Sequence, residues 1–586
     1  MDYTLKTDDK TVQRETLASV YRRLAPLVAD ERRNLSIAVA CVIVTSGANL
    51  LGPELIGRAI DTGMRQHDFG QVLRYAGLLA LAYLFALGTS YLQTLRMGTV
   101  GRNVLFHLRN RLFTQLSSLP IAFFAQNRAG DLISRVNNDT DKLNQFFSQA
   151  LMQIFGNLFI VLGAGILLVA LNWELGLAAL VPAFAILLIT RTLSPWVKRT
   201  NRKAMESLGG LSADVSESLA NFEVIVAFNR VDYFREKFEA ANERNYRAAI
   251  RSGIASGLFV PIYTLAGAAG SILVMAMGVW LISRDMLTVG GLIKYLLYVT
   301  TFYNPLRQMA TVWSTLQQAM AALDRVTEML RLENNLAQLP EGAKGPADTL
   351  LAFDKVGFAY ANGKRVLENV TLTLERGKTY ALVGPTGGGK TTTAMLMARL
   401  YDPVEGTVFL DGRDIRSFTP AERARRIGFI LQEPFLFSGT VRDNIVYGRD
   451  ELADVSDEEL AQRLEAQGLG GFLDRFKDGL STAVTGGGDG LSLGQKQLVA
   501  FLRAVLREPE ILILDEATAN IDTVTEQLLE DVLDKLPAQT TKVIIAHRLN
   551  TIRNADDIFF VGGGALTEAG SMEDAMDMLM SDQAAS

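Results

Sequence analysis

A glycine-rich octapeptide, residues 384 to 391, has the most specific chemistry in this 586-residue chain. It reads Gly-Pro-Thr-Gly-Gly-Gly-Lys-Thr and follows a short run, residues 379 to 383, that is typical of a strand. Glycines allow the backbone to curl so that its N–H groups and the N-terminus of the next helix face phosphate oxygens. The order of strand, loop and helix therefore predicts a phosphate-binding loop for a nucleoside triphosphate.

Two side chains of this loop have distinct predicted roles. Lys390 would present a positive charge to the β and γ phosphates, and the Thr391 hydroxyl would be a ligand of Mg²⁺. The predicted nucleotide-binding set extends one residue past the octapeptide and comprises Gly384, Pro385, Thr386, Gly387, Gly388, Gly389, Lys390, Thr391 and Thr392.

Two acidic residues follow a second apolar run, residues 511 to 514, which is typical of a buried parallel strand. We expect Asp515 to hold Mg²⁺ directly or through water. We expect Glu516 to polarise the attacking water as a general base. The sequence thus predicts a site that hydrolyses the nucleotide as well as binding it.

A third motif, Leu491-Ser492-Leu493-Gly494-Gln495, lies about a hundred residues after the phosphate loop. With these motifs in this order, the chain resembles ATP-binding cassette (ABC) proteins, and the nucleotide is then ATP. In that family the third motif, the signature, begins a helix whose N-terminus binds the γ-phosphate held by another ATPase domain. Because one chain carries one loop and one signature, the resemblance implies a half-transporter that needs a second half.

The resemblance also assigns roles to single residues elsewhere in this half of the chain. His547 matches the switch histidine that senses the γ-phosphate, and Gln432 matches the glutamine that contacts Mg²⁺. Tyr360 matches the aromatic residue that stacks on adenine, with a core strand residue as the alternative reading. Asp522 corresponds to the aspartate of the family's D-loop.

Three positions depart from the family pattern. Leu493 stands where glycine is most common, Gly486 stands where a glutamate usually precedes the signature, and residues 519 to 522 read Ala-Asn-Ile-Asp instead of Ser-Ala-Leu-Asp. Ser492 and Gly494 retain the main donors of the signature. Since Glu516 and His547 are present, we expect this chain's own phosphate loop to support hydrolysis.

The first 330 residues are dominated by apolar runs, in a chain that is 49% hydrophobic overall. A bilayer core needs about 20 apolar residues in a helix. Six runs are predicted to span a membrane: Leu35 to Ile56, Tyr75 to Leu92, Phe146 to Leu171, Leu175 to Leu193, Leu258 to Ile282 and Val289 to Ala310.

Arginine and lysine are concentrated before the first run and in the two long connections, after the second and fourth runs. The positive-inside rule places these segments, the N-terminus and the ATPase half in the cytoplasm, and the chain in the cytoplasmic (inner) membrane. Residues 108 to 139 and 223 to 230 resemble the intracellular loops of ABC exporters, where a short coupling helix docks on an ATPase domain. Two surface amphipathic helices are the alternative reading.

The expected fold is an α-helical six-span transmembrane domain with long cytoplasmic helical extensions, followed by an α/β P-loop NTPase domain. Its predicted boundaries are residues 1–330 for the membrane domain, 331–347 for a Pro- and Gly-containing linker, and 348–586 for the ATPase domain. Net charge is −5, and no Lys/Arg-rich block is present, which argues against a nucleic-acid partner.

The expected function is ATP-driven export of a small-molecule, lipid or amphipathic cargo by alternating access, with membrane lipids as neighbours. An ATP-gated channel or regulator of the same fold is the alternative. A homodimer is favoured, while the catalytically intact half of a heterodimer stays open because of Leu493. The cargo itself is not encoded in the motifs. Aromatic and cationic residues of the sixth run, Lys294 to Arg307, are expected mainly to pack structurally.

Overall fold

The computed structural model describes residues 3–5, 25–66, 68–334, 336, 338–340, 342, 344–346, 349–361, 363–515, 523–545 and 553–585. The chain divides into two compact units. A helical unit contains the described residues up to 117, apart from 3–5, and residues 130–331. A nucleotide-binding unit contains residues 3–5, Ser118–Ala129 and the described residues from 332 onward.

The helices up to residue 330 range from six to 50 residues in length and are joined by short turns. They are α1 Arg32–Gln66, α2 Phe69–Ser118, α3 Ile121–Gln126, α4 Ala129–Ser134, α5 Thr140–Gln145, α6 Leu151–Leu171, α7 Trp173–Ala220, α8 Phe222–Ala227, α9 Val231–Gly257, α10 Phe259–Ser283 and α11 Val289–Leu330. A 3₁₀ segment, Ala25–Glu31, precedes α1, and wider π-type turns at Arg135–Asp139 and Phe146–Ala150 flank α5.

Five helical segments in the described part of the chain are long and apolar enough to cross a bilayer. They are Ala25–Gly63, Phe69–Ser118, Ala129–Leu171, Trp173–Ala220 and Val231–Ser283. The sixth predicted span lies in α11, which is helical throughout but less apolar than these five. The tyrosines, Lys294 and Asn304 of this span lower its mean hydropathy. The helix packs against α1, α6 and α10.

Three tyrosines of α11 are buried in this bundle and bond to the backbone of neighbouring helices. The hydroxyl of Tyr295 donates to the carbonyl of Leu168 at 3.1 Å, and that of Tyr303 to Ala179 at 2.8 Å. Tyr298 donates to the carbonyl of Leu50 on α1. These tyrosines therefore pack structurally, as the sequence predicts. Lys294 forms an ion pair with Glu54 of α1 at 3.1 Å.

A buried charge cluster joins the turn before α5 to the C-terminal part of α11. Asp139 is only 3% exposed and accepts two hydrogen bonds from Arg325, at 2.6 and 2.7 Å. Burial alone would raise the pKa of Asp139, but the hydrogen bonds and charge of Arg325, aided by Lys142, outweigh it and lower the pKa below its ordinary value. Next to this pair, buried Arg135 bonds to Glu328 at 2.8 Å.

The strands of the nucleotide-binding unit alternate with shorter helices. The strands are β1 Leu351–Ala359, β2 Arg365–Leu374, β3 Thr379–Val383, β4 Glu405–Leu410, β5 Arg413–Asp414, β6 Ile427–Ile430, β7 Gly439–Thr440, β8 Ala483–Val484, β9 Ile511–Asp515, β10 Thr541–Ile545, β11 Asp557–Gly562 and β12 Ala565–Ala569. The described helices are α12 Lys390–Met397, α13 Pro420–Arg426, α14 Val441–Ile445, α15 Asp457–Ala466, α16 Leu493–Val505, α17 Thr523–Lys535 and α18 Met572–Ala585.

The main sheet has the order β12-β11-β3-β10-β9-β6, and all its pairings except β11–β12 are parallel. Strand β9 is buried at every residue because both faces of the sheet are covered. A second sheet, β2-β1-β4-β5, is antiparallel. The predicted fold class, a helical membrane domain followed by an α/β ATPase domain, is confirmed.

The described N-terminal residues are bonded to the segment around α3 within the nucleotide-binding unit. The backbone N–H of Tyr3 donates to the side chain of Gln126 at 2.7 Å, and Asn127 exchanges hydrogen bonds with the backbone of Tyr3 and Leu5. The Tyr3 ring packs edge-on against buried Phe123. Nothing in the sequence indicated this contact.

Candidate nucleotide-binding site

The phosphate loop has a backbone that depends on its glycines. Gly384, Gly387 and Gly389 have φ angles of 153°, 83° and 113°, in the region that side chains disfavour. A Cβ on Gly384 would also collide with the carbonyl oxygen of Val561 in the neighbouring strand β11. The predicted curled loop is therefore formed, between the end of β3 and the start of α12.

Lys390, the first residue of α12, is buried within this loop, only 6% exposed. Its ammonium group donates to the carbonyl oxygens of Gly384 at 2.7 Å and Pro385 at 3.0 Å. These bonds hold the cation against the loop, beside the N-terminus of α12, where backbone N–H groups also favour an anion. The residues that the motif predicts for phosphate binding are thus brought together in the structure.

Thr391 and Asp515 meet at the end of the parallel sheet. The Thr391 hydroxyl donates to a carboxylate oxygen of Asp515 at 3.3 Å, and Asp515 is 4% exposed. Both side chains offer oxygen atoms, which Mg²⁺ prefers as ligands. The residues fit a magnesium ion bound between a phosphate loop and an acidic strand, as the sequence predicts.

Strands β6, β9 and β10 end at this same edge. Strand β9 lies between β10 and β6, with Asp515 opposite Ile545 and Leu514 opposite Ile430. Gln432, two residues past β6, is exposed. Glu516, His547 and Asp522 lie outside the described residues. Strands β9 and β10, which precede Glu516 and His547 in the sequence, are neighbours in the sheet and end at this edge.

Tyr360 follows β1, and its hydroxyl lies 2.9 Å from that of Thr392 in the loop's helix. Its ring makes edge-on contacts with Phe358 and Tyr401, with centroids 4.9 and 5.7 Å away. Burial raises the pKa of Tyr401, and Tyr360 adds to this effect. The half-buried Tyr360 therefore sits beside the phosphate loop, where its predicted role in adenine binding requires it. Tyr401 was not among the predicted site residues. The sequence feature that could have indicated it is an aromatic residue shortly after α12.

A cavity of about 600 Å³ adjoins this aromatic cluster inside the nucleotide-binding unit. Tyr360 and Tyr401 form one side of it, and Tyr3 and Gln126 form another. Buried Arg399 supports the cavity wall by bonding to Asp402 at 2.9 Å and to the carbonyl of Leu336 at 3.3 Å. The segment around α3 thus lies close to the predicted adenine-binding residue.

The signature residues form the N-terminus of α16. Ser492 is the N-cap, and its side chain and that of Gln495 bond reciprocally to each other's backbone N–H groups. Leu493 is 39% exposed and Gly494 is buried, while Leu491 precedes the cap. The helix N-terminus that the resemblance predicts as a phosphate-binding element is therefore present and capped.

Gly486, which replaces the family's usual glutamate, does not require glycine for its backbone. It is absent from the positive-φ residues, although the neighbouring Gly487 and Gly488 have φ angles of 75° and 77°. A Cβ at Gly486 would lie 3.3 Å from the hydroxyl of Ser438. The departure from the family pattern is thus not imposed by the turn.

Comparison with known proteins agrees with this architecture. Residues 35–306 match the family of ABC transporter transmembrane regions, and residues 367–519 match the ABC transporter family. An uncharacterized ABC transporter ATP-binding protein of Bacillus subtilis, YfiC, is 32% identical over 94% of this chain and 91% of its own length. A fatty acid ABC transporter ATP-binding/permease protein of Mycobacterium bovis is 32% identical over 86% of this chain and 79% of its length.

A solved structure of a bacterial Atm1-family ABC exporter with ATP bound superimposes with a TM-score of 0.77 at 27% identity. The match covers 94% of this chain and 96% of the exporter. The likeness to this exporter thus extends along almost the whole chain. The chain belongs to the ABC transporter family and has the exporter architecture, with a membrane domain followed by an ATP-hydrolysing domain.

Proposed function

We propose that this chain exports an amphipathic small molecule or lipid across the cytoplasmic membrane by alternating access, driven by ATP hydrolysis. The observation that carries the proposal is the formed Thr391–Asp515 pair, in a chain that also supplies apolar helices long enough to cross a bilayer. The fatty-acid transporter among its relatives supports an amphipathic cargo. The cations of the N-terminal segment and long connections support a cytoplasmic ATPase unit and N-terminus.

The proposed chemistry divides among residues at the edge of the main sheet. Lys390 holds the β and γ phosphates, and Tyr360 stacks on adenine. Thr391, Asp515 and Gln432 hold Mg²⁺, which neutralises phosphate charge when it is bound. Glu516 orients and polarises the attacking water, and His547 senses the γ-phosphate.

We propose that the working particle is a dimer of half-transporters. Support comes from the single phosphate loop and single signature helix in the chain, because the family's complete sites combine a loop from one half with a signature from the other. Leu493 leaves Ser492 and Gly494 in place, so a homodimer with two working sites needs no further partner. A second, different half-transporter is the alternative that the substituted signature supports.

The experiment compares ATP hydrolysis and cargo accumulation by the purified chain in proteoliposomes with those of Lys390→Ala. Lys477→Ala is the matched control, because Lys477 is an exposed lysine of the same unit. We expect the control to behave as wild type and Lys390→Ala to lose both activities. Hydrolysis by Lys390→Ala at the wild-type rate would contradict the proposed role of this lysine. Hydrolysis with cargo that only equilibrates across the membrane would favour the ATP-gated channel.

A further inference from the structure

A cavity of about 310 Å³, lined by both apolar and polar side chains, lies within the helical unit between α1, α2, α6 and α11. This volume is at the small end of ordinary ligand sites. Its polar lining residues are Asn49, Tyr83, Asn157, Thr301, Asn304 and Gln308. All of them belong to runs predicted to cross the membrane, and no lining residue among those the structure describes is an acid or a base.

Asn157 is a buried polar residue of the cavity lining, within a helix predicted to cross the membrane. It is 6% exposed, and its side-chain N–H₂ group has no hydrogen-bond partner among the described residues. A buried amide of this kind is costly to leave unpaired, and most such groups in folded proteins have a partner. Asn157 therefore supplies a donor at the cavity wall that a ligand acceptor would satisfy.

Two prolines add acceptors to the same cavity. Pro53 lies inside α1 and Pro305 inside α11, and both line the cavity. A proline has no N–H to give to the carbonyl four residues earlier in its helix. Those carbonyls belong to Asn49 and Thr301, which are themselves cavity residues. Asn157 thus brings an unpaired carboxamide donor to the cavity, and two other lining residues have backbone carbonyls that lack their usual helical donor.

These features restrict the chemistry of a bound group. A carboxylate or phosphate would be buried without a cation to compensate it, since none of the described lining residues carries positive charge. A plain hydrocarbon would leave the Asn157 donor unpaired. A hydroxyl both donates and accepts, so one such group can pair with Asn157 and with a carbonyl. Tyr83 adds an aromatic ring to the cavity lining, which a sugar ring could contact.

We propose that this cavity binds the uncharged, hydroxyl-bearing head group of an amphipathic cargo, of the glycosyl class. The proposal rests on the function proposed above and names the chemistry of its cargo. It sets this chain apart from a carrier of fatty acids, whose carboxylate head group lacks a cation here.

The test is equilibrium binding in nanodiscs without ATP, with two radiolabelled probes of equal chain length. Dodecyl β-D-glucopyranoside carries an uncharged sugar, and dodecanoate carries a carboxylate. We expect saturable binding of the glucoside and at least tenfold weaker binding of dodecanoate. Asn157→Leu should weaken glucoside binding about tenfold and leave dodecanoate unchanged. Asn242→Leu, the same change at an exposed residue of α9, is the matched control and should bind as wild type.

Thermal unfolding of the same samples separates a ligand role from a structural role. Asn157→Leu removes an unpaired buried donor, so the unfolding temperature should stay the same or rise while glucoside affinity falls. A structural asparagine would lower the unfolding temperature. If Asn157→Leu does not fold, Asn304→Leu, at an exposed cavity residue, should weaken glucoside binding in the same direction.

Two results would overturn the proposal. One is dodecanoate binding as tightly as the glucoside, with no effect of the Asn157 and Asn304 substitutions. The other is the absence of saturable glucoside binding. In either case ATP hydrolysis that depends on Lys390 would still be measured in the same nanodiscs, so failure of this proposal is distinct from failure of the proposed export function.

Discussion

Replacing Asp139 by asparagine should destabilise the helical unit around α5 and the C-terminal part of α11. The carboxylate is almost fully buried and accepts two short hydrogen bonds from Arg325, so the substitution removes its charge and one of its acceptors. Breaking a buried ion pair costs about 3 kcal/mol or more. Because the Arg325 side chain is 35% exposed and the amide keeps one acceptor oxygen, we expect a loss of about 2 kcal/mol.

Hydrogen exchange of the backbone amides in Thr140–Gln145 measures this loss where it occurs. A local opening free energy lower by about 2 kcal/mol corresponds to exchange roughly 30-fold faster. Asp141→Asn is the matched control, since Asp141 is 51% exposed and pairs with Arg109 at 3.0 Å on the surface. It should change exchange by about twofold or less. Equal exchange in wild type and Asp139→Asn, or equal effects of both substitutions, would show that the buried Asp139–Arg325 pair does not stabilise this region.

The same pair sets a pH dependence with a defined sign. The pKa of Asp139 is lower in the folded protein than in the unfolded chain, where a carboxyl of this type titrates near 3.9. Its contribution to stability is therefore complete above the unfolded pKa and is lost as the pH falls through the folded pKa. The difference in exchange between wild type and Asp139→Asn should thus be constant from pH 7 to 6 and should shrink below about pH 4. A difference that shrinks near neutral pH would contradict this assignment.

The remaining predictions concern the nucleotide site. Glu516→Gln should keep ATP binding but cut hydrolysis by orders of magnitude, as measured by nucleotide titration and phosphate release; turnover near the wild-type rate would exclude this carboxylate. Lys390→Ala should weaken ATP binding itself, and an unchanged affinity in a binding titration would argue against its role. Leu493→Gly should alter the hydrolysis rate only modestly, because Ser492 and Gly494 are retained. Expressed alone, the chain should run as a dimer by light scattering; a monomer inactive until a different half-transporter is added would show a heterodimer.

The phosphate loop was predictable from sequence because its chemistry is local. Left-handed glycines, a lysine and a threonine must follow one strand within a few residues, so their spacing alone defines the backbone that Gly384 and Gly389 adopt. The pairing of Thr391 with Asp515 follows from two strand ends in one parallel sheet. The roles of Glu516 and His547 remain predictions from their motifs.

Other features depend on contacts between residues distant in sequence. Asp139 meets Arg325 across 186 positions, and Asn127 meets Tyr3 across 124. The cavity around Asn157 exists only once four helices pack, and a single asparagine in an apolar run does not reveal whether its amide finds a partner. The composition of α11 did indicate its packing. Its tyrosines and Asn304 make the predicted span less apolar than a lipid-facing span.

Accumulation of labelled cargo in proteoliposomes would show whether this chain drives export with ATP. Four probes would be offered to the purified chain: a fatty acid, an alkyl glucoside, a hydrophobic dye and a short peptide. With Mg²⁺ and ATP, we expect at least one probe to exceed its external concentration inside the vesicles, and we expect Lys390→Ala to abolish the excess. If every probe only equilibrated, or if Lys390→Ala accumulated cargo as wild type does, ATP-driven export by this chain would be contradicted.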